Sequence, residues 1–275
     1  MAGDHRWNFV RGLMVMLAAA LVACHDTNSG LTWPTQVVAP LQLDQGRPLD
    51  EAYRHEFQRC DEEDVFQGIA LEGARRCSND PNRFERFLVF EDGTILTESK
   101  LGIDLDGTPY ACNTPGQTDA CPTWLMLPDA TGQLVPVNGD VVPYVVIPIA
   151  GAPTPELNAE FRNSTGVGRG DFGVAIRGET VVPVIVADGG PFNKYGEGSP
   201  ALHRAFGREL CAARNDAGDC TRFRAAGSIG ADVTIVLFPG SRVSGLTAEN
   251  VAARTTELGL AAWNTFLAGH DPMLP

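Results

Sequence analysis

Over the middle of the chain, apolar positions fall into short β-type runs separated by turn residues. Phe87 to Phe90 and Thr94 to Thr97 flank Glu91-Asp92-Gly93, which predicts a hairpin around an Asp-Gly turn. Phe172 to Ile176 and Val181 to Ala187 flank Arg177-Gly178-Glu179 in the same way; the second arm is almost wholly apolar and predicts a strand central to the core. Val141 to Ile149 is a branched run broken by Pro143 and Pro148, so an irregular or edge strand is expected there. Val233 to Phe238 predicts another buried strand, ended by Pro239-Gly240. Helices are expected at Leu49 to Gln58, at Ala201 to Leu210 behind Ser199 and Pro200, and at Thr247 to Ala268. In the last of these Val251, Leu258, Ala262 and Phe266 share one side and Gly269 follows the end. The run Asp61-Glu62-Glu63-Asp64 reads as a solvated loop. The implied architecture is mainly β, a compact twisted barrel, six-stranded and double-psi in kind, with peripheral helices and a C-terminal helix.

Composition narrows the function classes. With 30 Gly, 19 Pro and only 20% charged residues, a helical bundle or coiled coil is excluded, and 44% apolar residues supply a sizeable core. Lys and Arg number 21 against 34 Asp and Glu, a formal charge of −13, the wrong sign for a nucleic-acid partner and the right one for a polycation.

The N-terminus has the layout of an export signal: His5, Arg6 and Arg11, then an apolar stretch from Gly12 to Ala23 that is too short to span a bilayer. Leu21-Val22-Ala23-Cys24 resembles the bacterial lipobox, so Cys24 is the expected lipidated first residue of an exported protein anchored in the cell envelope. Removing residues 1–23 takes away Asp4, Arg6 and Arg11 and moves the charge from −13 to −14, so the acidity belongs to the exported body. Residues 24–48 read as a tether, 49–83 as a disulfide-linked extension and 84–275 as the main domain, expected to be monomeric. Six of the seven Cys fall as three close pairs, predicting Cys60–Cys77, Cys112–Cys121 and Cys211–Cys220. No C-x-x-C occurs and the five His show no ligand spacing, so neither a metal nor another cofactor is expected.

Two motifs carry little. Gly168-x-Gly170-x-x-Gly173 follows Asn163-Ser164-Thr165 instead of a strand and reads as a turn. No G-x-S-x-G is present, and His203 reads as an ordinary surface or core histidine. The acidic pair Asp188 and Glu197 carries more. Val184 to Ala187 runs into Asp188 and Gly189-Gly190-Pro191, and Glu197 follows between two glycines just before a helix, so two carboxylates bracket one flexible loop. A carboxylate at the end of a buried strand is desolvated and holds its proton, whereas one before a helix N-terminus stays ionised. That is the division glycoside hydrolysis uses, with Asp188 as acid and Glu197 as base. The residues alone also fit a turn cap at Asp188 and a helix cap at Glu197.

Four segments in order resemble the fungal-type chitosanases of glycoside hydrolase family 75. They are Ser99 to Gly107 with its D-x-D-G turn, Val141 to Pro148, Val186 to Pro191 followed by Lys194 to Ser199, and Val233 to Ser241. Together they cover roughly residues 84 to 241. The resemblance implies an endo-acting, inverting hydrolase of chitosan with Asp188 and Glu197 as its carboxylates. It also implies substrate contacts at Asp104, Asp106, Lys100, Lys194 and Ser199, with Asp104 and Asp106 holding an amine; by themselves those two fit equally a tight turn or a cation site. Gly189 replaces a common Thr and Ala187 a common Gly, which bears on substrate preference and brings in other amino-sugar polymers, de-acetylated peptidoglycan among them. The alternative class is a non-catalytic envelope lipoprotein that binds a cationic glycan or a partner protein.

Overall fold

The structure, a computed structural model, describes residues 46–48, 51–116, 119–224 and 228–270; the leader, Cys24 and most of the tether lie outside them. The strands that carry the architecture are β1 (Arg86–Val89), β2 (Ile95–Ile103), β3 (Tyr144–Ala150), β4 (Phe172–Arg177), β5 (Thr180–Pro191), β6 (Glu197–Gly198) and β7 (Ile229–Leu237). In the order β2-β6-β3-β5-β4-β7, with β7 pairing back onto β2, they close a mixed six-stranded barrel, and β1 pairs with the start of β2. β3 and β5 are parallel, as are β2 and β6; the other pairings around the barrel are antiparallel.

Strand alternation divides the apolar residues between two layers. Leu101, Val145, Ile147, Ala175, Val184, Val186, Val233 and Ile235 belong to the central core. The intervening Leu96, Val174, Ile176 and Val236 face outward and are covered by Trp263 and Phe266 of α5 (Val251–Gly269). Gly259 permits that close approach, because a Cβ there would lie 2.8 Å from the Gly173 carbonyl oxygen and 2.9 Å from Pro183.

The extension is part of the same core. Tyr53 and Phe57 of α1 (Glu51–Glu63) join the central cluster, Phe57 stacking on Phe84 at 4.8 Å between centroids. The three disulfides, Cys60–Cys77, Cys112–Cys121 and Cys211–Cys220, are all formed; the last staples a small hairpin, Cys211–Arg214 with Cys220–Phe223. Disulfides of this number mark an exported protein. Among the described residues no helix is long and apolar enough to cross a membrane.

Several local expectations change. Asp61 to Glu63 are helical rather than a solvated loop, because the Asp61 carboxylate accepts hydrogen bonds from the Asn82 and Arg83 amides at 2.8 Å. The helix after Ser199, α4 (Pro200–Ala205), stops short of Leu210 at Gly207, whose φ is 78°. α5 starts at Val251, not Thr247, since Thr247 and Asn250 exchange hydrogen bonds in a turn ahead of it, and Gly269 is its last residue. Two helices lie outside the expected set: α2 (Pro109–Asn113), capped by Thr108, and α3 (Pro155–Thr165), capped by Thr154. Each begins with Thr-Pro, a cap followed by proline in the first turn. Finally, β5 runs through the segment read as a flexible loop, up to Pro191.

Truncation of Trp263 to Ala, which removes the fully buried anchor of α5, is expected to cost about 3–5 kcal/mol in urea unfolding, with the barrel's far-UV signal retained at zero denaturant.

Candidate active site

One register row of the barrel holds the two carboxylates. Gly102 of β2 pairs with Glu197 of β6, Glu197 pairs with Val146 of β3, and Val146 pairs with Asp188 of β5. Directly paired residues project on the same face of a sheet, so Glu197 and Asp188 share one face with Val146 between them. That face is the outer one, since Val145 and Ile147 belong to the central core.

Asp188 reaches this face through an irregularity. Val186 pairs with Val145 and Asp188 with Val146, so two residues on β5 oppose one step on β3 and Ala187 is a bulge. Strict alternation from Val184 and Val186 would send Asp188 into the barrel. The loop at Trp124 and Leu125 closes the bulge: the Leu125 amide donates to the Ala187 carbonyl at 2.8 Å, and the Trp124 amide donates to Asp188 Oδ1 at 2.7 Å.

The space between the carboxylates is made by glycines. A Cβ on Gly102 would stand 3.1 Å from Glu197 Cγ and 3.4 Å from Lys100 Nζ; a Cβ on Gly190 would stand 3.3 Å from Glu197 Oε2. The Glu197 carboxylate therefore extends across β3 to lie beside Gly190, two residues, or about 7 Å of strand, along β5 from the backbone of Asp188. Gly196, with φ 75° and no room for a Cβ 2.2 Å from the Lys100 carbonyl, sets the turn that delivers Glu197.

Burial raises both carboxyls, and different groups oppose the rise at each. Burial raises the pKa of Asp188, and two further carboxyls, Asp104 and Asp106, lie within hydrogen-bonding reach of it. Asp104 is raised well above the usual range by burial and then by Asp188, and Asp106 is pushed up to about 7 by the same two causes. These three titrate as a unit that retains a proton near neutrality. Glu197 is also raised by burial, but Lys100 and Lys194 oppose the rise. Two lysines, absent from the sequence argument for Glu197, thus act on it, with Asp80 and Asp188 working against them.

Those lysines are held by the extension. Lys100, fully buried, pairs with Asp80, and Lys194 donates to the carbonyls of Asp80 (2.6 Å) and Arg76 (3.2 Å). Asn82 accepts from the Tyr195 amide at 2.7 Å and donates to the Asn193 carbonyl at 3.2 Å, fixing the segment before Glu197.

Three expected substrate contacts are therefore reassigned. Lys100 and Lys194 are spent on Asp80 and the extension's carbonyls. Ser199 is fully buried, accepts from the Tyr144 and Leu202 amides and donates to the Val142 carbonyl, so it ties α4 to β3. Asp104 and Asp106 do stand beside Asp188, Asp104 being as buried as Asp188 itself. Asp80 and the Trp124 amide were missed, and no local pattern signals either, because each acts across a sequence gap of 20 residues or more. The G-x-G-x-x-G segment is a turn, held by Asp171, which accepts from the Gly168 amide.

No protein-family model matches this sequence, and no curated protein matches it.

His203 supports the row from below: its Nε2–H donates to the Gly102 carbonyl at 2.8 Å, while Nδ1 is buried with no partner. Burial lowers its pKa to about 4. The unfolded chain takes up this proton near pH 6.5 and the folded one does not until about pH 4, so stability falls as pH drops through that window. Between pH 7 and 4.5 wild type is expected to lose about 2.5 kcal/mol more than His203→Gln in urea unfolding.

Proposed function

We propose that the protein is an exported, lipid-anchored glycoside hydrolase that cleaves chitosan or a related amino-sugar polymer internally, in the manner of the fungal-type chitosanases it resembles. The observation that carries this is the Asp188–Val146–Glu197 row, which sets the two carboxylate side chains on one face, two strand spacings or roughly 9–10 Å apart at the backbone. Inverting glycosidases space theirs by about 6.5–9.5 Å, leaving room for a water on the far side of the sugar ring.

The surroundings support distinct roles. Asp188, whose carboxyl burial pushes up, protonates the leaving oxygen; Glu197, where Lys100 and Lys194 oppose the rise that burial causes, takes a proton from the attacking water. The acidic body, at −14 without the leader, draws in a polymer whose amines are partly protonated near neutral pH. The anchor rests on Cys24, which lies outside the described residues.

The test is release of new reducing ends from highly deacetylated chitosan and from chitin by the purified full-length chain. Asp188→Asn and Glu197→Gln are each expected to lower kcat about 10²–10⁴-fold with the far-UV spectrum unchanged. Undiminished cleavage by both variants, or none by wild type on any amino-sugar polymer, contradicts the proposal.

A further inference from the structure

Beside the row lies a cluster that the hydrolytic chemistry does not use. Asp104 follows β2, Asp106 lies two residues on, and Asp119 stands in the loop closed by the Cys112–Cys121 disulfide. Each offers one carboxylate oxygen, and the three oxygens lie within 4.8 Å of one another. Asp104 is nine-tenths buried; its Oδ1 accepts from the Asp106 amide at 3.0 Å, and its Oδ2 is buried without a hydrogen-bond partner. A buried anionic oxygen left without a donor costs several kcal/mol unless a cation or proton meets it.

We infer that Asp104, Asp106 and Asp119 bind a hard divalent cation of the Ca²⁺ class. The donor set is all oxygen and all anionic, which suits a hard ion and not a thiolate- or imidazole-seeking metal. Oxygens that lie within 4.8 Å of one another can share one ion at about 2.4 Å, and Ca²⁺ accepts the irregular geometry of a loop-borne set where Mg²⁺ demands near-ideal octahedral ligands. The position also gives the ion a role. Asp106 Oδ1 already accepts from the Ala120 amide at 2.6 Å, and Gly107 donates to the Ala120 carbonyl, so an ion here ties the disulfide loop to the end of β2. That loop leads into Trp124, whose amide holds Asp188. The ion thereby takes the place of the substrate amine expected at Asp104 and Asp106, and the inference stands whether or not the protein cleaves a glycan.

The experiment is thermal unfolding of the purified full-length chain, stripped with EGTA and then returned to Ca²⁺, Mg²⁺ or buffer, with Tb³⁺ luminescence as a direct binding readout. Ca²⁺ at 1 mM, roughly the range of extracellular sites, is expected to raise Tm by several degrees and to displace Tb³⁺. Asp119→Asn is expected to weaken both effects at least tenfold while the far-UV spectrum of the metal-free protein stays that of wild type. Absence of any shift or luminescence in wild type, an effect equal in Asp119→Asn, or a response to Mg²⁺ alone overturns the inference.

Discussion

Between Val186 and Asp188 the pairing of β5 with β3 slips by one residue, and the site depends on that slip. A strand of unbroken alternation would carry Asp188 into an interior filled by Val184, Val186 and Ile147, where an ionisable carboxyl has neither water nor substrate. The extra residue turns it outward into the row of Glu197. The bulge leaves the Ala187 carbonyl without its ladder partner, and the Leu125 amide supplies one, so the loop that repairs the strand also delivers the Trp124 amide to Asp188.

A second constraint is charge balance. The outer face brings five carboxyls, Asp80, Asp104, Asp106, Asp188 and Glu197, into mutual influence, but the only lysines that bear on them as named partners, Lys100 and Lys194, lie at the Glu197 end. Asp188 therefore shares its end with two further carboxyls, while at Glu197 two lysines oppose the effect of burial. Compensation comes from the extension: Asp80 anchors both lysines, and Asn82, itself held by Asp61, pins the segment before Glu197. The extension and barrel also share one aromatic core, so loosening of the Cys60–Cys77 segment would reach the site through packing as well as charge.

Much of the barrel was legible because its strands follow local rules: the Asp92-Gly93 hairpin, the near-continuous apolar run of β5 and the branched run of β7 read directly. The disulfides followed from spacing, since each closes a short loop. The candidate pair was visible as Asp188 and Glu197, but its geometry was not. Loop and strand differ little in composition at Gly189-Gly190-Pro191, and the bulge at Ala187 has no signature of its own. Lys100 and Ser199 look like polar residues available to a ligand; both are buried by elements distant in sequence, a tertiary effect that no local pattern encodes. The helix α3 went unread although Thr154-Pro155 and Gly166 mark its ends, because its sequence is largely polar and only Phe161 and Thr165 are buried.

The separation of Asp188 and Glu197 has a stereochemical consequence that one measurement reads directly. Proton NMR of the first products from a β-linked glucosamine oligomer, recorded before mutarotation, reports the configuration at the newly exposed anomeric carbon. A single displacement by water activated at one carboxylate of the row, with the other protonating the leaving oxygen, yields the α anomer. The β anomer as first product would mean that a carboxylate itself attacks the sugar, at a spacing of about 5–5.5 Å, and would contradict the geometry of the row.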